Sequence, residues 1–382
     1  MIEPSVIPLS LYIHWPWCLK KCPYCDFNSH GIRGPIPEEK FEQAIIHAIN
    51  EQVPWAQGRR LESVFFGGGT PSLMSPSSVG HILEGAARAI PFAENIEITL
   101  EANPGTFEEK KFKDFSRAGI NRLSIGIQSF DDAKLKALGR VHSAREAKEA
   151  ASSAAKIFDN FNIDLMFGLP GQSVSDFRED LQSAFSFSPT HLSLYQLTLE
   201  ANTYFAKFPP KALPEADTLS EMTDLAAEST ASRGFDHYEV SAYSLVGRKC
   251  RHNLNYWRFG DYLAAGPGAH GKITSSRGIR RFFNYRDPAR WLLSYSQGKS
   301  QIAKLSAVQQ EALPFEFMLN ALRLREGVER TVFEERTGME FREIEPMWNE
   351  LIKRGWVSSE PGRLKTTPKG WLFLNEVLEE FL

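Results

Sequence analysis

Six short β-rich runs alternate with segments of helical spacing through the first half of this 382-residue chain, and no other feature limits its fold so strongly. The runs cover residues 9–14, 64–66, 96–100, 123–127, 162–166 and 191–196. Between them, apolar residues recur one helical turn apart: Phe41, Ile45, Ile46 and Ile49, then Phe107, Phe112 and Phe115, then Phe177, Leu181, Ala184 and Phe185. Alternation of this kind is the βαβα signature of a parallel sheet with helices on its faces. Most of the runs read as strands buried on both faces, as such a sheet requires. The expected class is α/β, a partial (β/α)6 barrel of TIM type in preference to a doubly wound sheet.

Ligands in parallel sheets gather at the carboxyl ends of the strands, where loops and helix N-termini converge. Each run here ends in a polar or glycine-rich loop: residues 15–28, 67–72, 101–105, 128–130, 168–171 and 196–198. Residues 1–215 are expected to form the barrel and 216–306 an attached subdomain. Residues 307–382 change texture to short amphipathic helices, a Pro361-Gly362 turn between two short extended runs, and a last helix from Pro368. That order matches a small winged-helix-like α+β domain.

Three of the four cysteines, Cys18, Cys22 and Cys25, fall within eight residues on the loop after the first run. Four cysteines cannot staple a chain of this length, so the cluster points to chemistry. Soft thiolates suit zinc or iron–sulfur. A structural zinc site asks for a fourth protein ligand, and only His30 stands nearby, since Cys250 is more than two hundred residues away. Three thiolates on a four-iron cluster leave one iron open to an exchangeable ligand, the arrangement a reactive centre needs.

Other loop residues carry binding chemistry. Gly68 and Gly69 let backbone approach a ligand closely, although a tight turn alone would also use them. Glu101 suits a ribose or ammonium group, or caps a helix near Thr106; Gln128 and Asp164 stand at strand ends, and Arg140 offers a planar cation to a carboxylate.

Cys-x3-Cys-x2-Cys with Tyr24, followed by Gly67-Gly68-Gly69-Thr70, resembles the radical S-adenosylmethionine (SAM) superfamily. The wider pattern is similar to the oxygen-independent coproporphyrinogen oxidase family: Tyr12-Ile13-His14, Pro16-Trp17-Cys18, Cys25-Asp26-Phe27, residues 66–71, residues 123–130, Asp164-Leu165-Met166 and Gly168-Leu169-Pro170. The resemblance implies a [4Fe-4S] cluster on Cys18, Cys22 and Cys25, with SAM on the open iron. It also implies cofactor contacts from Tyr12, Tyr24, Gly68, Gly69, Thr70, Glu101, Gln128, Arg140 and Asp164. SAM would serve either radical cleavage or the gating of assembly and transfer.

That family divides into a coproporphyrinogen III dehydrogenase and a group of heme chaperones. The dehydrogenase pattern has a further cysteine where this chain has Phe27, and an N-terminal arm for which a first run starting near residue 9 leaves no room. Residues His252-Asn253-Leu254-Asn255-Tyr256-Trp257 carry the His-Asn-x-x-Tyr-Trp pattern of the chaperones. The expectation is therefore a cytoplasmic heme chaperone, with His252 the leading heme ligand and Cys250, His237 and His270 competing. Oxidative decarboxylation of coproporphyrinogen is the alternative. Heme, acceptor proteins at membrane-bound respiratory enzymes, an electron donor and a second copy of the chain are the implied partners.

Composition excludes other classes. Lys and Arg number 44 against 47 Asp and Glu, and residues 311–382 hold ten against fourteen, a net charge of −4. A phosphate backbone would be repelled, so a nucleic-acid-binding winged helix is disfavoured. No apolar run approaches the length of a membrane span or secretory signal.

Overall fold

The computed structural model describes residues 2–105 and 108–382, with Glu108 described by its backbone alone. Six parallel strands lie side by side in chain order: β1 (Leu9–Trp15), β2 (Leu61–Gly68), β3 (Phe92–Ala102), β4 (Arg122–Gln128), β5 (Phe161–Phe167) and β6 (His191–Gln196). This is the winding of a βα barrel; a doubly wound sheet would reverse its order at a switch point.

The barrel stays open because both outer edges are taken. A hairpin of β7 (Asp236–Glu239) and β8 (Ala242–Ser244) pairs through β8 with β6, while β9 (Asp261–Ala265) runs parallel to β1. Beyond β9 the sheet continues antiparallel through β10 (His270–Ser275), β11 (Gly278–Asn284) and β12 (Ile302–Ala307), twelve strands in all. Residues 216–306 thus supply strands to both edges of the main sheet.

The strands are buried on both faces, but the faces differ in chemistry. Leu9, Leu11, Ile13 and Trp15 of β1, Val64 and Phe66 of β2, Leu123, Ile125 and Ile127 of β4 and their counterparts form one core with the outer helices. Those helices include α1 (Glu38–Glu51), α2 (Pro76–Ala89), α3 (Glu108–Arg117), α4 (Ala144–Ile157), α5 (Val174–Ser186) and α6 (Ala216–Ala231). Phe112 and Phe115 of α3 are fully buried as expected; Phe107 and Thr106 lie outside the described residues. Reciprocal capping by Ser143 with Glu146 and by Ser173 with Asp176 starts α4 and α5.

Strand side chains alternate sides, so the remaining positions face the concave side. They are mostly polar: Ser10, Tyr12 and His14, Ser63, Glu97, Thr99 and Glu101, Arg122 and Ser124, Asn162 and Asp164, His191, Ser193 and Tyr195. Buried polar groups need partners, and here most of them find one another, although Thr99 Oγ1 and Arg122 Nε do not. Ser63 Oγ donates to Ser10 Oγ at 2.8 Å, Asn162 Nδ2 donates to Ser124 Oγ at 2.8 Å and to Asp164 Oδ1 at 2.7 Å, and His191 Nδ1 meets Asn162 Oδ1 at 2.6 Å.

The C-terminal helices Leu313–Ala321, Arg330–Thr337 and Glu345–Lys353 enclose a second core that includes Phe317, Phe333, Trp348 and Leu351. Val328–Glu329 pairs with Arg363–Leu364, and Val357 bridges Thr366 across the Pro361-Gly362 turn, which forms the wing. The last helix breaks at Phe373 into Pro368–Leu372 and Leu374–Glu379. Among the described residues no helix is long and apolar enough to cross a membrane.

The two-faced sheet predicts unequal costs for neighbouring truncations on β4. Leu123→Ala, on the apolar face, should cost about 2–5 kcal/mol, and Ser124→Ala, on the polar face, about 1 kcal/mol. Thermal unfolding of the two variants checks this; equal midpoints would refute the assignment of faces.

Candidate cofactor site

At the carboxyl ends of the six strands opens a cavity of about 650 Å³, within the range of small-molecule sites. The three cluster cysteines, the expected SAM contacts and the leading heme ligand all line it: Cys18, Cys22 and Cys25, Tyr12, Tyr24, Gly68, Gly69, Thr70, Glu101, Gln128, Arg140, Asp164 and His252. Cys250, His237 and His270 do not. Cys250 is buried against Glu97, its thiol pushed up to about 12 by burial; His237 stacks on Tyr243 and His270 on Phe283.

Each cluster thiol has its own polar neighbour. Thr70 Oγ1 stands 3.6 Å from Cys18 Sγ, Arg140 Nη1 3.7 Å from Cys22 Sγ and Ser29 Oγ 3.6 Å from Cys25 Sγ. Burial raises the Cys18 thiol, so holding all three as thiolates takes compensating positive charge. Arg140 supplies part of it. Arg140 is itself fixed by Asn103 Oδ1 at 2.6 Å and the Gly126 carbonyl at 2.7 Å, and Asn103 Nδ2 reaches back to Thr70 Oγ1 at 2.9 Å.

The cysteine loop is braced from behind. Tyr12 Oη meets His14 Nδ1 at 3.0 Å, and His14 Nε2 meets the Asn28 carbonyl at 2.9 Å. Asn28 Nδ2 in turn donates to the carbonyls of Pro267 and Arg286. Close backbone approach explains the glycines here. A Cβ on Gly69 would lie 2.7 Å from the Trp17 carbonyl oxygen, and one on Gly266 (φ +104°) 2.2 Å from the His14 carbonyl oxygen. The glycine run therefore answers to packing against the cysteine loop as well as to the cavity.

The opposite wall carries two carboxylates, Glu101 and Asp164, with the Arg122 charge beside both. Glu101 turns to the glycine loop, accepting the Gly68 N–H at 3.1 Å. Burial, then the neighbouring Asp164, pushes its carboxyl up to about 8, and burial raises Asp164 too. Such a wall favours a cationic ligand, whose charge would restore both carboxylates. Gln128 holds a left-handed backbone (φ +71°), a conformation that costs a non-glycine residue energy and marks functional loops.

His252 also lines the cavity, on the short helix α7 (Arg251–Trp257). Its Nδ1 meets Ser63 Oγ at 2.8 Å and its Nε2 meets Tyr256 Oη at 2.7 Å, with Phe65 stacked 4.9 Å away. Burial and then the Arg122 charge lower it to about 3, so the imidazole is neutral. His252 also lies 6.3 Å from the Tyr12 ring, and the Tyr12 and Phe65 rings are the side chains that a Cβ on Gly67 would meet, so only these two rings separate His252 from the glycine loop.

Asn28, Asn103 and Arg122 escape the motif reading. Arg122 is legible in the two-residue alternation of β4, which sets polar Arg122 and Ser124 against apolar Leu123 and Ile125; Asn28 and Asn103 have no local signal, because their partners come from distant loops.

Two outcomes are expected. Gly266→Ala drives a methyl into the His14 carbonyl and should leave reconstituted protein without most of its iron and sulfide, as elemental analysis would show; full loading would refute the bracing role. Glu101 has a folded-state pKa above its unfolded value, so its contribution to stability is present while it is protonated and is lost as pH rises through about 8. The melting point of the ligand-free protein should therefore fall as pH rises from about 5 to about 8 and level off above, and Glu101→Gln should flatten that fall.

Residues 12–184 match the Radical SAM superfamily and residues 308–373 the HemN C-terminal domain. Over 98% of both chains, the sequence is 45% identical to the heme chaperone HemW of Escherichia coli, and over 99% of both, 45% identical to that of Haemophilus influenzae. Its fold is similar to the structure of the E. coli coproporphyrinogen III oxidase HemN, a radical SAM enzyme, with a TM-score of 0.83 at 20% identity over 99% of this chain and 91% of that one. The chain belongs to the radical SAM family that includes the heme chaperone HemW.

Proposed function

We propose that this chain binds heme and hands it to an acceptor protein, and that it carries a [4Fe-4S] cluster on Cys18, Cys22 and Cys25 with SAM as the exchangeable ligand. The observation that carries the reading is a shared cavity: the His252-to-Trp257 motif helix walls the same space that the three cysteines rim. Its near relatives of full length bear the name heme chaperone.

The residues suit these groups. Three thiols, each beside a hydroxyl or guanidinium, match a cubane with one iron left for a non-protein ligand. SAM supplies a cationic sulfonium and an ammonium, the charges that the Glu101 and Asp164 wall favours. When bound and reduced, cluster and SAM would supply one-electron chemistry. The chain's own part is to exclude water, hold the thiolates beside Arg140, and orient the nucleotide between the glycine loop and Gln128.

For heme, the motif offers one neutral imidazole walled by aromatic rings. Ligation by His252 Nε2 requires it to leave the Tyr256 hydroxyl, so uptake would be coupled to a shift of α7. A single ligand recovered at the cost of one hydrogen bond suits a carrier that must release its cargo. The site of action is cytoplasmic, with acceptors among membrane-bound respiratory enzymes, an external electron donor and a homodimer as the working form.

The test is a heme titration beside a coproporphyrinogen oxidase assay on one anaerobically reconstituted sample. About one heme per chain, no vinyl product, and loss of heme but not of the cluster on His252→Ala are expected. Vinyl formation would instead support the dehydrogenase, and an unchanged titration of His252→Ala would remove that residue from its role.

A further inference from the structure

Behind the cavity, outside the residues considered so far, a carboxylate is buried on the inner side of α5. Asp180 is 3% exposed. Its Oδ1 accepts the Phe130 N–H at 2.6 Å, its two oxygens lie 3.1 and 2.9 Å from Ser129 Oγ, and Gln172 Nε2 reaches Oδ2 at 3.4 Å. Both partners extend the hold. Ser129 Oγ accepts the Asp131 N–H, and Gln172 Oε1 accepts the Leu169 N–H.

We infer that Asp180 is a positioning residue for the nucleotide site, pinning the loops after β4 and β5 and so holding Gln128 in its left-handed turn at the cavity wall. The inference rests on the reading of that cavity as a SAM site. Gln128 needs such a clamp. Its φ of +71° is unfavourable for a side chain with a Cβ, and the β4–β5 register slips between Gly126 and Gln128, so the strand ladder does not dictate its conformation. A strained residue persists where its surroundings over-determine it. On one side Arg140 binds the Gly126 carbonyl and His142 Nε2 meets the Ile127 carbonyl; on the other, the next two residues, Ser129 and Phe130, are held by Asp180 and the turn they begin, with the Phe130 ring stacked on Phe187.

The chemistry of the clamp fits a role beyond packing. An apolar residue would fill the space without burying charge, yet burial, with Asp131 and Asp176 nearby, lifts Asp180 to about 6 against the hydrogen bonds that oppose it. The fold thus keeps a carboxylate that costs stability in its charged form, and such costs concentrate at functional positions. Among the surrounding charges, Lys134 pairs with Asp176, not with Asp180.

The experiment titrates SAM into reconstituted full-length protein, read by the change in the paramagnetic resonance signal of the reduced cluster, with iron content and heme stoichiometry measured in parallel. Asp180→Ala should weaken SAM binding about tenfold while iron and heme stay at wild-type levels, and Asp180→Asn, which keeps the shape and one acceptor, should recover most of the affinity. Unchanged SAM affinity in Asp180→Ala overturns the inference, as does a parallel loss of iron, heme and SAM, which would mark a general structural role. If Asp180→Ala does not fold, Ser129→Ala decides: about threefold weaker SAM binding supports the clamp, and no change overturns it. Wild-type protein that binds no SAM would sink the nucleotide reading itself, and the clamp with it.

Discussion

The concave face of this sheet is polar, and a buried polar face must be hydrogen-bonded or filled. Helices outside the barrel supply apolar packing for Leu11, Val64, Leu123 and Ile163, but no helix of the six βα units covers Ser10, Ser63, Glu97, Asn162 or His191. Leaving such groups unpaired costs more than their hydrogen bonds return in stability. The chain resolves this with cross-strand bonds on β4, β5 and β6 and with a late segment that enters from below. Helix α7 turns its backbone onto the Glu97 carboxylate through the Arg251 and His252 N–H groups, and sends Asn255 to Ser10 and His252 to Ser63. The motif helix is thus a structural plug as much as a candidate ligand platform.

That double duty explains why the third region and the C-terminal domain belong to the same machine. Trp257, at the end of the plug, lies under the Arg323 guanidinium at 4.3 Å, and Arg323 also pairs with Glu239 of β7. Phe259, two residues on, packs into Phe317 of the second core. The helical domain therefore backs the plug from the side away from the cysteines. A change of ligand at His252 would be felt by both cores through one seven-residue helix.

Much of this was legible in the sequence, for identifiable reasons. Periodicity found the six strands because local apolar spacing marks them, and the cysteine spacing marked the loop because its three members are close in the chain. The chemistry of the inner face was also present, in Ser-x-Tyr-x-His on β1 and Asn-x-Asp on β5, but a reading that counts apolar residues sees buried strands and passes over which face is dry. The edges were less accessible. That β9 returns to pair with β1 depends on Asp261 joining Arg59 and Lys272 in a buried ion network, an encounter between residues some two hundred positions apart. Asn28 and Asn103 matter through carbonyls and side chains that only the fold brings near.

The distribution of charge gives the site its direction. Near the cysteines Arg140 offsets part of the thiolate charge, while the wall from Glu101 to Asp164, with Arg122 beside it, carries carboxylates that burial has partly neutralised. A ligand with an anionic end and a cationic end can satisfy the carboxylate wall in only one orientation, since reversing it would set like charges together where burial weakens screening. Specificity then follows from the cost of the wrong orientation more than from the number of contacts in the right one. A neutral heterocycle of the same size would leave Glu101 protonated and would gain little beyond apolar contact. The polar interior that the plug must satisfy at one end is, at the other, what lets the cavity tell a zwitterionic nucleotide from its neutral analogues.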